Sequence, residues 1–147
     1  PKSRGFVEIR SVDPAEDPKI QPNYISDEHD QRVMVEGVKM MREIYHMSSF
    51  RDLWDTEIVP GADVDNDEKI LDCIRNNGGT VFHPVGTCRM GDDEDAVVDS
   101  ELRVNGVKGL YVADASVMPK ITSANTNAPS LMIGEKAAHH ILQHHSG

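Results

Sequence analysis

Residues 110–134 read LYVADASVMPKITSANTNAPSLMIG, a short apolar stretch followed by an irregular loop and the start of a helix. Leu110–Ala113 has the length and apolar character of a buried strand. Pro129 lies where proline is favoured, in the first turn of a helix, and that helix is predicted to run to about His144. A strand, loop and helix in this order suit the edge of a larger sheet, which these 147 residues do not encode.

Upstream of this stretch, two more short strands are predicted. Residues 5–10, GFVEIR, place Val7 and Ile9 on one face and predict a half-buried strand. Residues 102–104 form a second short apolar run, which ends at the turn residues Asn105 and Gly106. The strands do not alternate regularly with helices, so the pattern is not that of a parallel α/β fold.

A long helix is predicted over residues 27–45. Its apolar residues are spaced by four, three and four, which places Met34, Val38, Met41 and Tyr45 on one predicted buried face. Gly37 lies inside this helix, where glycine costs about 1 kcal/mol relative to alanine. A close packing contact at that position would favour the glycine.

A second helix is predicted to begin at Asp65, the N-cap, with Glu68 completing a capping box. It carries Ile70, Leu71 and Ile74 to the core and ends at the run Asn-Gly-Gly over residues 77–79. Short strands combined with longer helices predict an α+β fold, in which residues 1–80 form a unit with its own strand and helices.

The composition is that of an ordinary globular protein and excludes several classes of function. Twenty-five acidic residues against 15 basic ones give a net charge of −10, which argues against a nucleic-acid partner. The chain has no run of 18 apolar residues and no basic-then-apolar leader, so neither a membrane span nor a signal peptide is expected. Two cysteines, Cys73 and Cys88, predict reduced thiols in a reducing, cytoplasmic compartment, with a bridge between them as the alternative.

His83 is the first candidate catalytic residue. It lies in TVFHPVGTCRMG, residues 80–91, where Pro84 and Gly86 predict an irregular backbone that could present the ring to a cavity. An imidazole, which titrates near neutral pH, suits a general base that removes a proton from a substrate. On spacing alone, a loop histidine bonded to a neighbouring carbonyl is the more common situation.

Asn127, just before the first turn of the last helix, is the second candidate. Its amide could donate a hydrogen bond to a substrate oxygen that gains negative charge, and the N–H groups of a helix start favour negative charge at the same place. The alternative is a plain N-cap, a role that either Asn125 or Asn127 could fill. Asp114 and Ala115 begin a turn after the predicted strand, where a backbone contact to a cofactor is plausible.

Two segments have spacings typical of metal ligands. Residues 63–74 begin with alternating aspartates, but Glu68 and Ile74 replace the glycine and glutamate of a calcium-binding loop, which excludes that interpretation. His140 and His144 are four apart on the last helix and could bind zinc or nickel. Polar residues that suit the helix dipole are the simpler interpretation, and no metal site is predicted.

Two blocks of the sequence resemble the C-terminal part of the glucose-methanol-choline (GMC) family of flavin-dependent alcohol oxidoreductases. The first is HPVGT with RMG, within residues 83–91, and the second is NTNAP, residues 125–129. The resemblance covers nearly the whole chain. It implies an α+β substrate domain with short antiparallel strands flanked by helices, and a strand–loop–helix segment that belongs to the FAD-binding domain.

The resemblance also implies roles for residues, in an enzyme similar to choline dehydrogenase or alcohol dehydrogenase. His83 would take the hydroxyl proton of a primary alcohol, Asn127 would hold the substrate oxygen, and hydride would pass to N5 of FAD. The residues implied to lie against the FAD are Asp114, Ala115, Asn127, Ala128 and Pro129. Residues 1–100 would form the substrate-binding portion that carries the His loop, and residues 101–147 would complete the FAD-binding domain.

The pyrophosphate-binding motif of such an enzyme is missing, because no Gly-x-Gly-x-x-Gly follows a strand. The N-terminal Rossmann-like FAD domain is therefore absent from this chain, which alone is expected to bind FAD weakly or not at all and to be inactive. An exposed apolar patch is expected at Leu110, Val112, Leu131 and Ile133, where the missing sheet would pack. Two other functions stay open: a lyase or non-redox relative that uses the same histidine, and a small metal-binding module built on the terminal histidines.

Overall fold

A computed structural model of the chain describes residues 1–145, with side chains up to residue 144. The chain divides into two compact units, which we call unit 1, Pro1–Gly79, and unit 2, which begins at Thr80. The prediction that residues 1–80 form a unit is confirmed. The sequence also predicts that residues 1–100 form the substrate-binding portion and that residues 101–147 complete the FAD-binding domain. Because this division concerns packing on a sheet outside this chain, it stays a prediction.

Unit 1 contains a β-hairpin and two helices. Strand β1, Phe6–Glu8, pairs antiparallel with β2, Lys19–Gln21, with Val7 opposite Ile20. Helix α1 spans Glu28–Tyr45 and packs against α2, Asp67–Asn77. Helices with a small antiparallel sheet confirm the α+β prediction. The strand is shorter than predicted, and the prediction that it is half-buried is wrong, since all of its residues are exposed in a two-stranded sheet.

Helix α1 begins and ends where the sequence predicts, but a different face is buried. Asp27 caps its N-terminus by accepting a hydrogen bond from the backbone N–H of His29 at 2.8 Å. Val35 is the buried apolar residue of α1, whereas Met34 and Met41 are exposed. The spacing identifies residues that share a face, and it does not determine which face the rest of the unit covers. An added Cβ at Gly37 would meet no atom within 4 Å, so the packing explanation for that glycine is wrong.

Helix α2 is capped one residue later than predicted. Asn66 is its N-cap and accepts a hydrogen bond from the backbone N–H of Lys69 at 3.0 Å. The carboxylate of Asp65, the predicted cap, instead lies 2.8 Å from the Lys69 ammonium. Ile70 is buried as predicted, and the helix ends at Asn77 before Gly78.

A buried carboxylate ties the beginning of the chain to α1. Asp30 accepts hydrogen bonds from the backbone N–H groups of Lys2 and Ser3, at 2.9 and 2.6 Å, and from the Ser3 hydroxyl. These hydrogen bonds hold the pKa of Asp30 well below its usual value. The Ser3 hydroxyl has the largest effect, and the two N–H groups add to it. The ionised carboxylate therefore fixes the start of unit 1.

Unit 2 has one long helix and little regular sheet. Helix α3 spans Asn127–His145, and a single 3₁₀ turn spans Ala115–Val117. The two strands predicted at 102–104 and 110–113 are reduced to isolated bridges, one of which pairs Arg103 with Tyr111. The positive φ of Leu102, 67°, interrupts the extended backbone that a regular strand needs.

The loops of unit 2 surround a contiguous hydrophobic core. Its buried members are Val98, Leu102, Val117, Met118, Ile133 and Ala137. The expected exposed patch is present only in part: Leu110 is 49% exposed and Leu131 is 66% exposed, but Val112 is half-buried. The expectation is wrong for Ile133, which is only 4% exposed because the core of unit 2 covers it. The predicted burial of Leu110 is also wrong.

No helix within residues 1–145 is long and apolar enough to cross a membrane.

Candidate active site

The loop that carries His83 is hydrogen-bonded to the turn that follows residues 110–113. We call residues 80–91 the His loop. The backbone N–H of Cys88 donates to the carbonyl of Ser116 at 3.0 Å, and that of Met90 donates to Val117 at 2.9 Å. Two main-chain bonds therefore align the His loop with the turn at residues 114–118.

The backbone of the His loop is irregular after the histidine, as predicted from Gly86, and also before it, at Phe82. Gly86 has a φ of 90°, and an added Cβ there would lie 3.2 Å from the carbonyl oxygen of Met118. Phe82 has a φ of 61°, a left-handed conformation that is uncommon for a bulky residue. Such conformations persist only where surrounding contacts hold them, and here they set the direction in which His83 leaves the loop.

The side chain of His83 is half-buried and contacts a residue that the sequence analysis missed. Its Nδ1 lies 2.9 Å from Oγ1 of Thr126, which is only 6% exposed. Thr126 immediately precedes the first residue of α3, a place where only Asn125 and Asn127 were predicted to have a role. A threonine before a helix is a good N-cap candidate, but local sequence gives no sign that its hydroxyl contacts a histidine 43 positions away.

The start of α3 is well ordered by its own hydrogen bonds. The carbonyl of Thr126 accepts from the backbone N–H of Ser130 at 3.0 Å and from the Ser130 hydroxyl at 2.7 Å. Asn127 and Ala128 are exposed, and Pro129 is half-buried. The first N–H groups of a helix have no partner within the helix, so those of Asn127 and Ala128 have no acceptor within α3.

Asp114 and Ala115 occupy the turn that was predicted to follow a strand. Asp114 is exposed, and its carboxylate accepts a hydrogen bond from the backbone N–H of Ser116 at 2.7 Å, which caps the 3₁₀ turn. Ala115 is half-buried and packs against the core of unit 2. The structure therefore gathers the His loop, this turn and the start of α3 within one unit.

An ion pair closes the end of the His loop. Arg89 makes a bidentate contact with Asp93, with N–O distances of 2.8 and 2.5 Å. The Arg89 guanidinium lowers the pKa of Asp93 to about 2. The acidic residues 92–95 that follow the His loop are all exposed.

The residues considered for metal binding have other partners. His144 lies 3.2 Å from the hydroxyl of Tyr111 through Nδ1 and 3.2 Å from Glu101 through Nε2. Within the described residues, no group of three or more His, Cys, Asp or Glu could hold a metal ion. Cys73 and Cys88 are both free thiols.

Comparison with known proteins supports the resemblance seen in the two sequence blocks. The family model described as GMC oxidoreductase, for the C-terminal domain, matches residues 1–134. The chain belongs to the GMC oxidoreductase family. The match includes both the His loop and the start of α3.

Curated GMC relatives are similar over almost the whole chain. An alcohol dehydrogenase [acceptor] from Pseudomonas putida is 46% identical over 143 residues, which cover 97% of this chain and 26% of the relative. An oxygen-dependent choline dehydrogenase from Brucella ovis is 50% identical, over 96% of this chain and 26% of the relative. This chain therefore spans about a quarter of the length of the curated relatives it matches.

Solved structures agree with the fold. Pyridoxine 4-oxidase from Mesorbium loti has a TM-score of 0.90 and 35% sequence identity, over 99% of this chain and 28% of that protein. An FAD-dependent oxidoreductase from Chaetomium thermophilum has a TM-score of 0.89 and 34% identity, over 97% of this chain and 25% of that protein. Identity above 30% together with these scores places the fold within the GMC C-terminal domain.

Proposed function

We propose that this chain is the C-terminal portion of an FAD-dependent enzyme that oxidises a primary alcohol to an aldehyde, with His83 as the general base. The observation that carries the proposal is the contact between His83 and Thr126, which brings the His loop to the start of α3. Two relatives are an alcohol dehydrogenase and a choline dehydrogenase, and their names favour oxidation over a lyase reaction.

His83 would accept the hydroxyl proton at Nε2. Its Nδ1 is already engaged by the Thr126 hydroxyl at 2.9 Å, which leaves Nε2 as the nitrogen directed to substrate. Proton transfer by a positioned imidazole typically contributes a factor of about 10²–10⁴ to rate. The aldehyde forms as hydride leaves the carbon that bears this hydroxyl, and a bound flavin would supply the hydride acceptor.

Asn127 would hold the substrate oxygen. It is exposed at the first position of α3, one residue after the Thr126 that contacts His83. An amide N–H that donates to this oxygen stabilises the negative charge that grows there as the proton leaves. His83 and Asn127 would thus act on the same hydroxyl group.

The residues at the start of α3 fit the electron-rich edge of a flavin. The N–H groups of Asn127 and Ala128 have no partner within the helix, and the helix dipole favours negative charge beside them. Asp114 and Ala115 would contribute from the turn that is hydrogen-bonded to the His loop, and Pro129 from the first turn of α3. FAD, when bound, would supply the hydride acceptor at N5.

Because this chain spans about a quarter of the length of its relatives, the complete enzyme would contain further parts. Residues 1–100 would contribute to the substrate pocket, and residues 101–147 would pack as a strand–loop–helix segment on the FAD-binding domain. An N-terminal Rossmann-like part would bring the pyrophosphate site. Without that part the chain would bind FAD weakly or not at all and be inactive. The complete enzyme would work in the cytoplasm.

The test is anaerobic flavin reduction in the complete holoenzyme, formed by joining this chain to the N-terminal portion. A primary alcohol should bleach the flavin spectrum, and His83→Ala should slow the bleaching by at least about 100-fold without loss of bound flavin. The matched control is His139→Ala, since His139 is exposed on α3. Bleaching at a comparable rate in His83→Ala would refute the assignment of the base. Flavin that stays oxidised in the unchanged enzyme would instead support the lyase.

A further inference from the structure

The hydroxyl of Thr126 occupies the side of the His83 ring opposite the proposed proton-accepting nitrogen. Thr126 is 6% exposed, so the residue that carries this hydroxyl is itself largely shielded from water. The Oγ1–Nδ1 distance of 2.9 Å is that of a well-formed hydrogen bond. The position of the threonine is in turn fixed by the two bonds that its carbonyl accepts from Ser130.

We propose that Thr126 is a positioning residue that accepts a hydrogen bond from Nδ1–H of His83 and thereby keeps Nε2 free of a proton before each reaction. This inference rests on the proposed role of His83 as base. A neutral imidazole carries one proton, on either nitrogen. Only the tautomer with the proton on Nδ1 has a lone pair on Nε2.

A hydroxyl suits this role in both protonation states of the ring. When Nε2 has taken the substrate proton, both ring nitrogens carry hydrogens, so Oγ1 must accept from Nδ1. If the neutral ring already donates from Nδ1 to Oγ1, the same hydrogen bond persists as the charge appears, and no side chain has to turn. A bond that is already in place lowers the barrier because nothing reorganises during the reaction.

The sequence-distant contact also fixes the ring relative to Asn127. Thr126 directly precedes Asn127, the first residue of α3, so the hydroxyl that contacts His83 lies on the residue next to Asn127. Loss of the hydroxyl should therefore affect the chemical step, since Thr126 is buried and does not need to contact substrate. We expect kcat to change and KM to stay nearly constant.

The decisive variant is Thr126→Val, which replaces the hydroxyl by a methyl group of similar size. In the complete holoenzyme we expect kcat to fall roughly tenfold, with KM and flavin content close to those of the unchanged enzyme. Thr126→Ser retains the hydroxyl and should restore most of the rate. Thr122→Val is the matched control: Thr122 is exposed, and its hydroxyl donates to the carbonyl of Ala124 at 2.9 Å.

A second measurement reports the tautomer without turnover. Ring-¹⁵N-labelled holoenzyme should show His83 with its proton on Nδ1, and Thr126→Val should shift the signal towards a mixture of tautomers. The His83→Asn spectrum assigns the resonances. A resting ring with its proton on Nε2 would overturn the inference.

The outcomes separate this inference from the proposed function. If His83→Ala is inactive but Thr126→Val retains full kcat and an unchanged ¹⁵N spectrum, the positioning role is wrong and the base assignment stands. If His83→Ala keeps full activity, the base assignment fails and the role of Thr126 fails with it. A rate that Thr126→Ser does not restore would also count against the hydroxyl.

Discussion

Unit 1 and unit 2 differ in how regular their backbone is and in how much apolar surface they bury. Unit 1 contains a hairpin and two helices, yet its buried apolar residues within the described part are Val35 and Ile70. Unit 2 is mostly loop outside α3, yet it holds a contiguous six-residue core. Regular secondary structure and a developed core are therefore separate properties in this chain.

The difference shows how the irregular His loop can be held in a fixed conformation. The His loop has no strand or helix of its own, but two main-chain bonds attach it to a turn that contributes Val117 and Met118 to the core. Packing of those two residues thus supports the position of His83 indirectly. In unit 1 the exposed methionines of α1 mark surface that the described residues of that unit do not cover.

The largest expected effect tests whether the core of unit 2 determines its stability. Ile133→Ala should lower the free energy of unfolding by about 2–5 kcal/mol, because it leaves a cavity among buried side chains. Leu131→Ala is the matched control on the same helix, where a side chain that is 66% exposed should cost far less. Urea titration followed by circular dichroism measures both. Equal losses for the two variants would show that α3 buries a different face.

The next effect compares a glycine-to-alanine substitution in each unit. The free energy of unfolding is expected to fall in one unit and to rise in the other. Gly86→Ala should destabilise by about 1–2 kcal/mol, since alanine resists a positive φ and its Cβ would approach the Met118 carbonyl. Gly37→Ala in α1 should stabilise by about 0.5–1 kcal/mol, because alanine is the better helix former and the site is open. Thermal unfolding should show the two shifts. A stabilised Gly86→Ala variant would contradict the conformation of the His loop.

The smallest effect is local and depends on pH. The pKa of Asp30 is lower in the folded chain than in the unfolded chain. The ionised carboxylate therefore stabilises the fold fully at pH values above the usual aspartate pKa of about 4, and this stabilisation is lost as the pH falls through the folded-state pKa. Asp30→Asn should therefore destabilise unit 1 at pH 7 and less so at pH 3, as measured by urea titration. At pH 7 the amides of Lys2 and Ser3 should exchange at least about tenfold faster.

The control for this pH dependence is Asp52→Asn, which changes an exposed aspartate of unit 1 and should leave stability nearly unchanged. A difference between Asp30→Asn and the unchanged chain that grows on acidification would have the wrong sign for a lowered pKa.

Local sequence signals predicted the bounds of the helices well. The features that depend on contacts between distant residues were not predicted. The bounds of α1 and the end of α2 follow from caps and from Gly78, which act within a few residues. The buried face of α1 and the strand at Leu102 depend on what packs nearby and on a positive φ that no leucine propensity indicates. Such features are set by tertiary contacts that a local pattern does not contain.

The candidate site was predictable in its parts and not in its connections. The irregular backbone at Gly86 follows from the residue type, and the resemblance to GMC enzymes singled out His83 and Asn127. The Thr126 hydroxyl was missed because a side-chain pair 43 positions apart leaves no local signal. The assignment of Asn66 as a cap was missed because Asp65 is an equally good cap by type.

The attachment of the His loop through main-chain atoms has a consequence for how freely its sequence can vary. The bonds from Cys88 to Ser116 and from Met90 to Val117 use only N–H and carbonyl groups. Replacing the exposed side chain of Thr87 or the half-buried one of Ser116 therefore leaves the anchor in place. Proline, which lacks the N–H, is the substitution at 88 or 90 that would release it. A library that randomises the side chains at positions 87 and 116 can thus keep the conformation of the His loop, provided that it places no proline at 88 or 90.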